Sequence, residues 1–395
     1  MRKVIGVLAT VAGLAAMAAL AVIPTSAQTL RPGTPSILRW TLEQQTEWYP
    51  AIETVYGSAT VKRGDYVRPL PKADRTLDVT YSYGEKSWTV EDYMKATNAS
   101  GVMVVKDGKV LLERYGLGRK PEDRWISFSV TKSITSTLVG AAIQDGKIKS
   151  LDDKVTQYIP QLAGSAYEGV NLRQLLTMSS GVKWNEDYTD PNSDVARAST
   201  AIQEPGVNPI VSYMRTLPRA NEPGTKFTYN TGETDLVGIL VSNAVGMSLS
   251  QYVSEKLWQA YGMERDATWL LDPAGHERGG CCMSMTVGDY ARVGQFMLDG
   301  GTARGRQILP TGWIAEATSR QISNGAPPAG YGFFWWLGQG GPYQASGIFG
   351  QSIAVIPEER LVIVINSAWP KATDRDLFAA RSAFHNAVRA AAKGL

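Results

Sequence analysis

The 395-residue chain has two histidines and two cysteines, and these scarcities exclude several chemistries. His276 and His385 stand far apart in sequence, and no Cys/His/Asp/Glu spacing suits a metal ion, so no metal or other cofactor is expected. No G-x-S-x-G elbow occurs, which leaves a serine–histidine triad without its usual frame. Basic runs with interleaved aromatics are also missing, and the formal charge is only +3, so nucleic acid is not a partner. Long apolar runs are confined to residues 4–23. They follow Arg2 and Lys3 and precede Thr25-Ser26-Ala27, a small-residue cleavage site. Residues 1–27 therefore read as a signal peptide for a periplasmic or secreted protein, with an uncleaved anchor as the alternative. No stable membrane span is expected once it is removed. Cys281 and Cys282 are adjacent; a bridge between neighbours closes a strained ring, so two buried small residues are expected. Tryptophan, by contrast, is plentiful: pairs such as Trp335-Trp336 belong mostly to a core, with some free to line an apolar cleft.

What the chain does contain is Ser129-Val130-Thr131-Lys132 at the head of an apolar helical pattern. A serine and a lysine at i, i+3 share one helical face, so the amine can sit beside the hydroxyl. That serves an activated serine when histidine does not. The pattern occurs a second time, at Ser180-Gly181-Val182-Lys183. Ser129 opens a helix that stops near Gly146, where free N–H groups favour a developing oxyanion. Ser180 instead precedes a helix-stopping glycine. Ser129 is the candidate nucleophile and Ser180 a helix-end serine.

Around this point the chain is mixed α/β. Residues 28–95 show no clear periodicity and are expected to wrap the outside. Residues 101–115 predict a hairpin turning at Asp107-Gly108. Residues 150–285 are helical and loop-rich, and the polar stretch 180–223 reads as a substrate wall. Short strands follow over 331–337, 343–348, 352–356 and 361–365, and an amphipathic helix over 374–392 closes the chain. Strands at both ends predict an α+β fold: an antiparallel sheet from both chain ends, flanked by helices, with an inserted mainly helical domain. The expected units are 28–133 with 286–395, and 134–285.

Lys132 can act as a base only if burial or a nearby positive charge depresses its pKa. A tyrosine would help to move the proton. Tyr229, on the turn from Pro223-Gly224 to Asn230-Thr231-Gly232, is the best placed; an ordinary loop tyrosine is the other reading.

Taken together, these residues resemble the serine hydrolases with the penicillin-binding-protein and class C β-lactamase fold. The resemblance spans about residues 100–390. It rests on Ser129-x-x-Lys132, Leu175-Leu176-Thr177-Met178-Ser179-Ser180-Gly181, Pro223-Gly224 leading to Tyr229, Gly279-Gly280, and residues 347–351 before a final strand. It implies Ser129 as the acylated nucleophile, with Lys132 and Tyr229 sharing general-base and general-acid work. The N–H groups of Ser129 and Ile348 would form the oxyanion hole, and Gly347 and Phe349 would meet substrate. Two departures narrow the reading. Tyr229-Asn230-Thr231 replaces the Tyr-Ser-Asn or Tyr-Ala-Asn of β-lactamases and peptidases, and Ala345 replaces the cation of their Lys-Thr-Gly motif. Trp184-Asn185-Glu186-Asp187-Tyr188 and Gly347-Ile348-Phe349-Gly350-Gln351 most resemble 6-aminohexanoate-dimer hydrolases and related carboxylesterases, in which Tyr188 would contact the scissile amide. The expected function is hydrolysis of a small linear amide or ester. The alternatives are a β-lactamase or D-alanyl-D-alanine carboxypeptidase, and a catalytically silent binding protein.

Overall fold

The computed structural model describes residues 36–200, 204–325 and 330–395; the expected signal segment, 1–27, lies outside them. The strands of the two larger sheets are β1 (Ser58–Val61), β2 (Ala99–Lys106), β3 (Lys109–Tyr115), β4 (Arg124–Ile126), β5 (Ala267–Leu270), β6 (Met283–Thr286), β7 (Trp336–Leu337), β8 (Tyr343–Ser346), β9 (Ser352–Ile356) and β10 (Leu361–Ser367). The helices that matter for the site are α1 (Val130–Gln144), α2 (Leu172–Leu176), α3 (Thr231–Val245), α4 (Val287–Leu298) and α5 (Arg375–Ala392).

Six strands pair antiparallel in the order β7-β8-β9-β10-β2-β3. The last strand joins the early hairpin, with Leu361 opposite Lys106 and Ile365 opposite Val102. The sheet is thus built from both chain ends, as the spacing of apolar runs predicts. Asp107 and Gly108 both take positive φ, 50° and 75°, which matches the twist of a tight hairpin and explains that dipeptide. Alternate residues of β2 and β10 serve opposite faces. Met103, Val105, Val362 and Val364 join the core beneath α1 and α4. Val102, Val104, Ile363 and Ile365 pack with Phe384 of α5 and with Tyr93, whose ring stacks on Phe384 at 4.1 Å.

A second sheet, in the order β1-β5-β6-β4, was not expected. Of the segment 28–95, the described part from residue 36 contributes β1 to it and places Trp40, Tyr49 and Ile52 in a core cluster with Trp125, Phe128 and Trp369. The early segment is therefore structural, and its four-residue strand is too short to show a period. His385, expected at the surface or satisfied, has an Nε2 without a partner. Burial, reinforced by Arg381 and Arg389, pulls its pKa down to about 3. Among the described residues no single helix is long and apolar enough to cross a membrane.

Candidate active site

Ser129 immediately precedes α1, whose residues from Val130 to Ala142 are all buried. The turn into the helix is held from below. Ser127 N donates to Met283 O at 2.8 Å, and Met283 N donates to Ser127 Oγ and Thr131 Oγ1 at 3.0 and 2.9 Å. Phe128 sits at φ 45°, a costly conformation for a side-chain-bearing residue, fixed by ring contacts with Tyr49 and Phe349 at 5.4 and 5.1 Å.

One turn along α1, the buried Lys132 points its Nζ at Ser129 Oγ (3.0 Å) and Gly280 O (2.8 Å). Burial pulls the Lys132 pKa down to about 8; the Glu186 and Asp235 carboxylates oppose this, and the Arg278 guanidinium assists it. The Gly280 acceptor is itself fixed. Its N–H donates to Asp235 Oδ1 at 2.8 Å, Asp235 Oδ2 accepts from Arg278 at 2.7 Å, and Thr135 Oγ1 donates to Gly279 O at 2.7 Å. A Cβ on Gly279 would stand 2.4 Å from Thr234 O, so only glycine lets this turn pass so close to α3. Cys281 and Cys282, expected as two separate buried residues, are instead joined by a disulfide across a cis peptide bond directly after Gly280, and only Cys282 is fully buried.

Tyr229 lies on the other side of the amine: Lys132 Nζ is 5.2 Å from the centre of its ring. Burial and the Glu186 charge raise the phenol's pKa, while its hydrogen bond with Ser129 works the other way. The phenol is therefore a proton donor at neutral pH, and Lys132 is the group poised to lose its proton. Trp336 stacks on Tyr229 at 5.5 Å with Tyr331 and Phe227 around it, while Trp335 is buried against Tyr343. Alternation along the chain thus sends one tryptophan of the pair to the cleft and the other to the core.

The Gly347–Ile348 backbone closes the third side. A Cβ on Gly347 would fall 2.5 Å from Ser127 O and 3.2 Å from Ser129 N, so the absence of a side chain permits the approach. Among the described residues no acceptor meets the backbone N–H of Ser129 or of Ile348. Phe349, expected to touch substrate, does not line the cleft with its side chain. Its φ of 59° turns the ring into the cluster with Phe128 and Tyr49, where it is buried. Tyr188 is half-buried near Tyr229 and donates from its phenol to Glu186 at 2.8 Å. Ala345 is buried in β8, so the residue at that position supplies no cation.

Neither histidine serves Ser129: His276 pairs with Asp272 (3.4 Å), and His385 is on α5. Among the described residues no group of three His, Cys, Asp or Glu side chains could hold a metal. Sequence reasoning missed two carboxylates, Glu186 and Asp235. Asp235 was visible only as one of two acidic residues, with Glu233, near the start of a helix that carries no other charge.

The β-lactamase family profile matches residues 89–386. The chain belongs to the β-lactamase family. It is 31% identical over 355 residues to the 6-aminohexanoate-dimer hydrolase of Paenarthrobacter ureafaciens, covering 86% of this chain and 89% of that one. A β-lactamase of Pseudomonas fluorescens is 27% identical over 188 residues, about half of each chain. Among solved structures, a Bacillus anthracis protein assigned provisionally as a 6-aminohexanoate-dimer hydrolase superposes with a TM-score of 0.80. It covers 92% of this chain and 99% of its own at 22% identity. A family VIII carboxylesterase gives 0.59 at 16% identity, covering 75% and 96%. These two likenesses establish the fold.

Proposed function

We propose that this member of a serine-hydrolase family cleaves a small linear amide or ester through an acyl-enzyme on Ser129. The observation that carries the reading is the 3.0 Å contact between Ser129 Oγ and an amine whose pKa is brought down to about 8. Neutral Lys132 takes the hydroxyl proton as Oγ attacks the carbonyl. The N–H groups of Ser129 and Ile348 receive the developing oxyanion. Tyr229 gives its proton to the departing nitrogen or oxygen and recovers one from Lys132. Water then attacks the ester on Ser129 with the same groups acting in reverse, which restores the free enzyme. The amide half of the reading is supported by the 31% identity to a 6-aminohexanoate-dimer hydrolase and by the half-buried Tyr188 beside Tyr229. β-Lactam turnover is the second reading, favoured by family membership and opposed by Ala345 at the position of the family's cation. We also infer export, on the charge and apolar pattern of residues 1–27; N-terminal sequencing of the mature protein tests it, with a start after Ala27 expected.

The test of the chemistry is incubation with a fluorophosphonate probe and a p-nitrophenyl ester, followed by a panel of linear amides and a penicillin. Labelling that maps to Ser129, with turnover of a linear amide, is the expected result. A folded protein that takes no label ends the reading. Penicillin turnover faster than any linear substrate promotes the second.

A further inference from the structure

Glu186 stands within the site without a role in the chemistry above. Its Oε1 accepts from the Tyr188 phenol at 2.8 Å and from the Thr231 hydroxyl. Its Oε2 accepts from Thr231 N at 3.0 Å and from the indole N–H of Trp184. Four donors saturate the carboxylate, so it has no vacancy for a substrate ammonium. Two of the donors belong to the first residue of α3, two positions after Tyr229, and the other two to the loop that carries Tyr188. The carboxylate also lies at the N-terminal end of α3, where a negative charge complements the helix dipole.

We propose that Glu186 is the positioning residue of this active site: its carboxylate latches the 184–188 loop to the start of α3 and thereby fixes Tyr188 and Tyr229 against Ser129. The inference rests on the acyl-enzyme reading. The same charge reaches the amine. Lys132 faces Ser129 at the head of its own helix, the Tyr229 ring, Asp235 on α3, Arg278 next to the Gly-Gly segment, and Glu186 from the loop. Glu186 and Asp235 favour the ammonium and Arg278 disfavours it. A neutral residue at 186 therefore makes Lys132 easier to deprotonate, and a packing change alone would not.

The experiment compares the wild type with Glu186→Gln and Thr231→Val in the pH dependence of fluorophosphonate labelling and of ester kcat/KM. In Glu186→Gln the amide meets donors with a donor of its own, so the plateau falls, by roughly tenfold or more. The rising limb moves to lower pH. The fraction of plateau activity at pH 6 then rises about threefold, the equivalent of half a unit. Thr231→Val removes one donor at unchanged charge, so its plateau falls while its limb stays in place. A limb that does not move in Glu186→Gln overturns the electrostatic half of the proposal. An undiminished plateau in Thr231→Val overturns the latch, and it does so even if the Gln variant fails to fold. An unlabelled wild type defeats the acyl-enzyme reading and this inference together, whereas a labelled wild type with unchanged variants defeats the inference alone.

Discussion

The same four-residue pattern occurs twice in this chain and gives two unrelated environments. At Ser129-x-x-Lys132 the serine caps a buried helix that the lysine rides, and the amine is 3.0 Å from the hydroxyl. At Ser180-x-x-Lys183, Gly181 at φ 79° breaks the helical path, so Lys183 faces solvent and Ser180 turns inward. There it bonds Glu233, whose carboxyl burial pushes up to about 8, while Arg219 donates to its carbonyl at 3.1 Å. One serine meets an amine made easy to deprotonate, the other a carboxylic acid made hard to ionise. Both effects come from burial, with opposite consequences because the charged forms have opposite signs. Pattern alone does not bring the amine to the hydroxyl; helical continuity through the pattern does.

The largest expected effect separates the serines. Ser129→Ala abolishes labelling and lowers kcat/KM by roughly five orders of magnitude, since the nucleophile and its partners act as a unit. Ser180→Ala keeps the label on Ser129 but loses a bond to a buried carboxyl, which lowers stability by about 1–3 kcal/mol. Active-site titration and thermal denaturation of the two variants provide the check. A Ser180→Ala protein that no longer labels would undo the distinction.

The lysines come next. Lys132→Met removes the base and costs on the order of a thousandfold in kcat/KM, while Lys183→Met, on the surface, stays within about twofold. Steady-state kinetics on one ester substrate measures both. In the wild type the amine must be neutral to act, so kcat/KM rises with pH through about 8. Each unit below that value costs about tenfold, which puts the rate at pH 6 near one-hundredth of the plateau. A profile that is flat between pH 6 and 9 would remove Lys132 from the role of base.

The contrast also marks how far the sequence can be read. Helical periodicity after Ser129 and the glycine after Ser180 are enough to distinguish the two sites. The 101–115 hairpin, the closing helix and the sheet made from both ends are equally legible, because each depends on local period and turn chemistry. Glu186 was not, because its role comes from Thr231, 45 residues away, and no local pattern records such a contact. Phe349 misled for the opposite reason. Its neighbours fit a cleft, but a single positive φ reverses the direction of the ring. The second sheet escaped notice because β1 and β4 are too short to carry a period and find partners only over long separations.

The smallest expected effect concerns the second serine's partner. Glu233 ionises near 4.5 in the unfolded chain and at about 8 in the fold, so folding favours its protonated form. That contribution is fully present below about pH 4.5 and is lost as pH rises through about 8. Glu233→Gln keeps the size of the side chain and cannot ionise, so it loses less stability than the wild type over the same range. Other groups titrate there too. His385, depressed to about 3, has the opposite slope below its ordinary value, and Lys132 has it above about 8. Both are present in the two proteins, so the difference between their melting temperatures from pH 5 to pH 8 isolates Glu233. That difference should move steadily in favour of the Gln variant as pH rises. A constant difference would mean that Glu233 is ionised throughout, and Ser180 would then be a charge-bound serine rather than one held by a neutral acid.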